Sequence, residues 1–281
     1  MEPGLNEIRN GMTNGEVNPH HRRGVSLLPL IFTVGNLSCG YYAVLATMRG
    51  TSVDFDNASR AIGFAILFDA LDGRVARATG TSSEFGKQLD SLADVISFGV
   101  APAFLAFAWG VKSFFTLEQG IQRDVYLLGW VVTFMFMISC AWRLARFNIQ
   151  GMAPGKESKY FVGMPTPAAA GMIAASVHIL KEPVQDWRFA LGWLAVVALL
   201  AALMTSTIRY YGFKEISLRR RRSSLVLLPL ALLVYFVWAF SEWTLFILGA
   251  TYLLSGLTLH AVRLLRRRFA PAPSSSPAPP A

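Results

Sequence analysis

The chain has 281 residues, 53% of them hydrophobic and only 15% charged, against roughly 25% charged residues in an ordinary soluble domain; its mean hydropathy is +0.43. These values exclude a disordered or collagen-like chain and argue against a soluble enzyme. A net charge of +9 suits a nucleic-acid reader or a membrane protein, and at this hydropathy it points to anionic lipid headgroups and away from nucleic acid.

Residues 1–24 are polar and hold no apolar run of the kind a cleaved signal peptide needs, so they read as a cytoplasmic N-terminal tail. Apolar stretches follow at about 26–47, 58–79, 88–109, 124–146, 162–180, 188–208, 224–241 and 243–262. Each approaches the roughly 20 residues that cross a hydrocarbon core about 30 Å thick. In lipid every backbone N–H and C=O must be paired within the segment, and the alternation of barrel strands is absent, so the spans are helices. The expected fold is an all-α, polytopic membrane bundle of about eight transmembrane helices. Residues 25–208 form the membrane core, 209–222 a basic cytoplasmic loop containing the run Arg219 to Arg222, and 223–265 two additional helices. The Pro/Ser-rich residues 266–281 cannot bury a core and read as a disordered tail. Cys39 and Cys140 lie in apolar runs without metal or disulfide spacing and read as packing residues. The seven tryptophans fall near span ends, where interfacial anchoring accounts for most of them.

An even number of spans puts both termini on one side. The flanks on that side carry twenty lysines and arginines and the opposite flanks six, which places the termini and the second, fourth and sixth loops in the cytoplasm by the positive-inside rule.

Most acidic residues fall in tails, loops or helix ends, where water solvates them. Asp69 and Asp72 in the second apolar segment, and Asp90 and Asp94 in the third, do not. A carboxylate at the centre of a membrane helix costs about 2.5–3.5 kcal/mol, so four of them demand compensation. Spacings of three and four residues put each pair on one helix face, and the short connection around Thr79 to Phe85 brings the two helices together. Converging carboxylates repel unless cations lie between them, and an all-oxygen ligand set suits Mg²⁺ or Mn²⁺, with two divalent cations the simplest account. Gly73 and Gly86 leave the backbone open to a phosphate ligand, and Arg74, Arg77 and Lys87 supply positive charge for it.

Asp69-x-x-Asp72-Gly73-x-x-Ala76-Arg77, eight residues, then Gly86-x-x-x-Asp90-x-x-x-Asp94 resembles the signature of the CDP-alcohol phosphotransferases, membrane enzymes of phospholipid synthesis, at all eight positions. Three further stretches resemble the branch of that family that moves the phosphatidyl group of CDP-diacylglycerol onto L-serine: Thr79 to Gly86 running into Asp94 to Ala103, Arg143 to Asn148, and Gly163 to Ala168. The resemblance implies a six-helix catalytic core, a cytoplasm-facing site in a bacterial-type inner membrane, and a homodimer. It implies that Asp69, Asp72, Asp90 and Asp94 hold the two cations, that Asp94 also serves as base, and that Gly73, Ala76, Arg77 and Gly86 seat CDP-diacylglycerol. Leu30 stands where many members have Asn, and Asn36 is the expected substitute contact to the nucleotide. The serine carboxylate needs a cation, for which Arg146 and Arg143 are candidates together with Asn148, and Ser97 is a weaker one. The products are a phosphatidyl lipid and CMP. Two rival readings are a sibling enzyme with another acceptor, such as glycerol phosphate, and a cation-coupled transporter; the transporter is disfavoured because the Asp-Gly-x-x-Ala-Arg pattern occurs once, without an internal repeat.

Overall fold

The computed structural model describes residues 27–79, 83–112, 120–151, 160–211 and 239–268. In chain order these form α1 (Leu27–Arg49), α2 (Ser52–Thr79), α3 (Glu84–Asp94), a π-helical segment (Val95–Val100), α4 (Ala101–Gly110), α5 (Ile121–Gly151), strand β1 (Tyr160–Val162), α6 (Thr166–Leu180), α7 (Trp187–Thr205), strand β2 (Arg209–Tyr211) and α8 (Ser241–Arg268). Residues 84–110 are one continuous rod. The fold is that of a polytopic helical membrane protein, and among the described residues five helices are long and apolar enough to cross: Pro29–Arg49, Glu84–Gly110, Arg123–Ile149, Trp187–Thr205 and Ser241–Leu259. The expected span at 224–241 lies almost wholly outside the described residues, as do the N-terminal tail and the run Arg219 to Arg222.

Three expectations need correction. The helix in the stretch 162–180 is shorter than expected: it is α6, 15 residues long, or about 22 Å at 1.5 Å per residue. Pro165 has no N–H to donate and disfavours helical backbone at the residue before it, so no helix runs through this point, and Pro165 itself, at ψ 140, is the N-cap of α6. The chain ahead of it forms β1 instead, paired antiparallel with β2 so that Phe161 faces Tyr210. The ribbon thus takes the first three residues of the loop placed at 209–222. Gly163, at φ +83, makes the turn out of β1, where a Cβ would sit 2.5 Å from the Met204 carbonyl oxygen; its N–H donates to Ile208 O at 2.8 Å. Third, α8 runs through Arg268, three residues into the tail expected from 266, since Arg266 to Arg268 are good helix formers.

α1 ends at Gly50, whose φ of +78 suits a C-terminal cap. It turns directly into α2, and the two pack through small side chains, with Ala43, Ala46, Ala58, Ala61 and Ala65 all buried. Without a hydrophobic driving force between helices in lipid, such close backbone approach is what yields contact energy. Trp109 and Trp193 are buried within the bundle, while Trp130, Trp142 and Trp243 are exposed. The two buried indoles meet edge to face at 5.0 Å, and Trp193 Nε1 donates to Ala106 O at 2.9 Å. Only glycine fits beneath that ring, because a Cβ on Gly110 would lie 2.1 Å from it. Gly110→Ala should therefore destabilise the bundle by about 1–3 kcal/mol, the usual cost of overpacking. Thermal unfolding in detergent reads this as a lowered Tm; an unchanged Tm contradicts the packing account.

One end of the bundle is held by a polar clasp. The His178 ring, at the end of α6, pairs through Nδ1 with Asp56 of α2 and through Nε2 with Ser241 Oγ of α8 at 2.9 Å. Arg60 pairs with the same Asp56 at 2.8 Å, and Lys181 with Glu242. Asp56 and Asp69 are 13 residues apart on α2, which is about 20 Å of helix, so this clasp and the Asp69 level lie at opposite ends.

Candidate active site

Three helices each present one polar stripe. On α2 the stripe is Asp69, Asp72, Gly73 and Ala76; on α3 it is Gly86, Asp90 and Asp94, running into Ser97; on α1 it is Thr33, Asn36 and Gly40. Each follows the three- and four-residue spacing of a single helix face. α1 packs against both α2 and the Glu84–Gly110 rod. α3 starts at Ser83, whose hydroxyl caps the helix by accepting the Gly86 N–H at 3.0 Å.

Asp69, Asp90 and Asp94 each offer a carboxylate oxygen, and these oxygens lie within 4.8 Å of one another. Around an octahedral Mg²⁺ adjacent ligand oxygens stand about 3 Å apart and opposite ones about 4.2 Å, so the trio would draw together to hold such an ion. Asp90 Oδ1 is buried without a hydrogen-bond partner, the state of an oxygen whose ligand is a cation. The donor set is all oxygen, which suits Mg²⁺ or Mn²⁺. Asp72 is buried as well but outside this trio, and its carboxylate accepts from the Thr33 hydroxyl. Asp94 is 8% exposed, and its Oδ1 accepts from Asn36 Nδ2 at 3.1 Å. Asn36, expected at the nucleotide, thus holds a carboxylate through its amide NH₂, while its Oδ1 is buried and unpartnered.

The arginine face comes from the end of α5. Arg143 is buried, close enough to Asp94 for the two charges to interact, and its Nε has no partner. Arg146 Nη1 donates to Thr205 O at 3.4 Å, covering a carbonyl that the end of α7 leaves open. Asn148 Nδ2 donates to Ser91 Oγ at 2.9 Å, tying α5 to α3. Ser97 Oγ donates to the Asn36 carbonyl at 2.9 Å. Of the four residues expected around serine, Arg143 is the buried cation. Lys87 pairs with Glu84 at 2.8 Å on an exposed surface, where such a bond is worth little. Arg77 lies on α2, but its side chain is outside the described residues.

Thr33 is the residue that sequence reasoning missed. Its signal was available: with Asn36 it forms a polar pair three residues apart inside an otherwise apolar helix, on the same face.

The family model described as CDP-alcohol phosphatidyltransferase matches residues 26–206. A protein of Helicobacter pylori (strain ATCC 700392 / 26695), named CDP-diacylglycerol--serine O-phosphatidyltransferase, is 35% identical over 212 residues, which is 73% of this chain and 81% of that protein. Proteins of the same name are similar in Methanocaldococcus jannaschii, at 34% identity over 60% of this chain and 71% of its own length, and in Saccharomyces cerevisiae, at 36% over 53% of each. With the family model covering well over half of its length and three of its four signature aspartates folded into one cluster, this chain belongs to the CDP-alcohol phosphatidyltransferase family.

Proposed function

We propose that this membrane enzyme makes phosphatidylserine and CMP from CDP-diacylglycerol and L-serine. The observation that carries the reading is the convergence of Asp69, Asp90 and Asp94 beside a buried arginine, in a chain whose relatives are named for this transfer. The acidic trio would hold one divalent cation, and a second would call on Asp72, whose carboxylate is here engaged by Thr33. When bound, divalent cations neutralise the charge that gathers on the diphosphate as CMP departs.

The rest of the work falls to the chain. A serine hydroxyl is a poor nucleophile at neutral pH, so a carboxylate must take its proton as the oxygen attacks the lipid-linked phosphorus. Asp94 is the candidate base, because Asn36 ties up one of its oxygens and leaves the other to act. The new oxygen–phosphorus bond forms as the bond to the CMP oxygen breaks, and the electron pair leaves with CMP. Arg143 offers its guanidinium to the serine carboxylate. Gly73 and Ala76, one and two turns along from Asp69, leave the α2 face low for the nucleotide, with Arg77 and Gly86 at its edge. The transfer needs no covalent enzyme intermediate.

The same reading puts the site and both termini on the cytoplasmic side of a bacterial-type inner membrane and pairs two copies as a homodimer. Purified enzyme incubated with CDP-diacylglycerol and Mg²⁺ or Mn²⁺ should release CMP with L-serine as acceptor and not with glycerol phosphate. A chelator should abolish release and added cation restore it. Release with another acceptor alone would move the chain to a sibling activity; no release with any acceptor would sink the reading.

A further inference from the structure

We propose that Ser97 is a positioning residue for Asp94: it acts through Asn36 and does not contact the acceptor. This rests on the proposed function and specifies how its site is held in register. The hydroxyl of Ser97 is fully buried and donates to the backbone carbonyl of Asn36 at 2.9 Å. The side chain of that same Asn36, also fully buried, donates to Asp94 Oδ1 at 3.1 Å. Ser97 and Asp94 are therefore joined by two routes, three residues of their own rod and a loop through α1.

Ser97 sits in the π-helical segment that begins directly after Asp94. A π segment changes the phase of the side chains beyond it relative to those before it, and such segments cluster at functional sites. In a regular α-helix the residue three past Asp94 would already lie near its face; here the rod is unwound at that point, and the contact with α1 fixes how far. Gly40 permits the contact. A Cβ there would lie 2.4 Å from Ser97 Oγ and 2.8 Å from Ser97 Cα, so the two backbones are as close as this crossing allows. Asn36 and Gly40, one turn apart on α1, thus form a seat into which Ser97 locks, and the lock sets the height at which the Asn36 amide meets Asp94. With Thr33 on Asp72, α1 contributes no carboxylate of its own yet steadies one on each neighbouring rod.

The test compares native enzyme with Ser97→Ala, Asn36→Ala and the double variant, in detergent. Bound Mn²⁺ is followed by electron paramagnetic resonance without substrate, and CMP release gives kcat and KM for serine. Ser97→Ala should weaken Mn²⁺ binding about 3- to 10-fold and lower kcat about tenfold, with KM for serine unchanged within twofold. Partners that touch metal ligands directly are worth about 10- to 100-fold, and Ser97, acting one step further out through Asn36, sits at or below the lower end of that range. Residues acting in one chain are non-additive, so the double variant should lose no more than Asn36→Ala alone. Gly40→Ala, which pushes the seat apart, should copy the Ser97→Ala phenotype and guards against a failure specific to one substitution. A raised KM for serine with kcat intact would make Ser97 an acceptor contact and overturn the proposal. So would additive losses, or a lowered Tm with Mn²⁺ affinity and kcat both unchanged. If native enzyme neither binds Mn²⁺ nor releases CMP, the proposed function itself fails; if it does both and Ser97→Ala matches it, only this inference falls.

Discussion

Asp94→Asn is expected to lower kcat for CMP release by between about 10²- and 10⁴-fold, the range that a positioned general base contributes. The substitution is nearly isosteric, and Asp94 is only 8% exposed, so no cavity opens and Tm should hold. What changes is chemistry: the amide has no basic lone pair to take a hydroxyl proton and no charge to offer a cation. Asp94 stands in both roles, and one further measurement separates them. If turnover by Asp94→Asn climbs back when Mn²⁺ is raised well above the level that saturates native enzyme, the loss lies in metal binding and the base is elsewhere. If saturating Mn²⁺ leaves the deficit in place, the proton-transfer role stands. Full turnover in the variant would remove Asp94 from the mechanism altogether. Asp72→Asn provides the contrast. Its carboxylate is held by Thr33 and lies outside the trio, so its loss should be smaller and should respond to added metal.

The sequence made the acidic centre legible because burying charge in lipid is expensive and helical spacing is regular. Four aspartates inside apolar runs could not be incidental, and their three- and four-residue spacing already put each pair on one face. What spacing on two helices could not show was the third helix. Thr33 and Asn36 look like ordinary polar punctuation in an apolar run until α1 is laid against both rods, and then each proves to hold a carboxylate. The serine-side residues were legible as residue types and less so as partners. Arg143 and Arg146 are three apart, yet Arg146 Nη1 reaches back to the end of α7 while Arg143 is buried; the choice depends on where α7 ends, which hydropathy does not fix. Local backbone chemistry explains the remaining differences. Hydropathy averages over windows, so it carried the apolar stretch at 162–180 straight through Gly163 and Pro165, where the chain turns and a helix must restart. It likewise placed Trp109 and Trp193 at span ends without seeing that Gly110 leaves room for one indole against the other.

Arg143→Ala should raise KM for serine by about 10- to 150-fold, the equivalent of the roughly 1.5–3 kcal/mol that a hydrogen bond to a charged group contributes. Arg143 is the one buried lysine or arginine among the described residues, and a guanidinium in that position is costly unless charge is supplied to meet it. Asp94 supplies part of that charge. Nε, without a partner, marks the part still open, and a carboxylate is the acceptor whose planar geometry matches the guanidinium fork. Removing Arg143 also strips a counter-charge from Asp94, so kcat should fall too, and a raised KM alone would not isolate recognition of serine. A ratio does: ethanolamine carries the same hydroxyl and ammonium as serine without its carboxylate. Native enzyme should prefer serine over ethanolamine in kcat/KM, and Arg143→Ala should shrink that preference towards unity, since any effect on Asp94 acts on both acceptors alike and cancels. Arg143→Lys keeps the charge but not the fork and should fall between. An undiminished preference in Arg143→Ala would show that the carboxylate is read elsewhere, with Arg146 the next residue to test, and would leave Arg143 as a counter-charge to the acidic cluster.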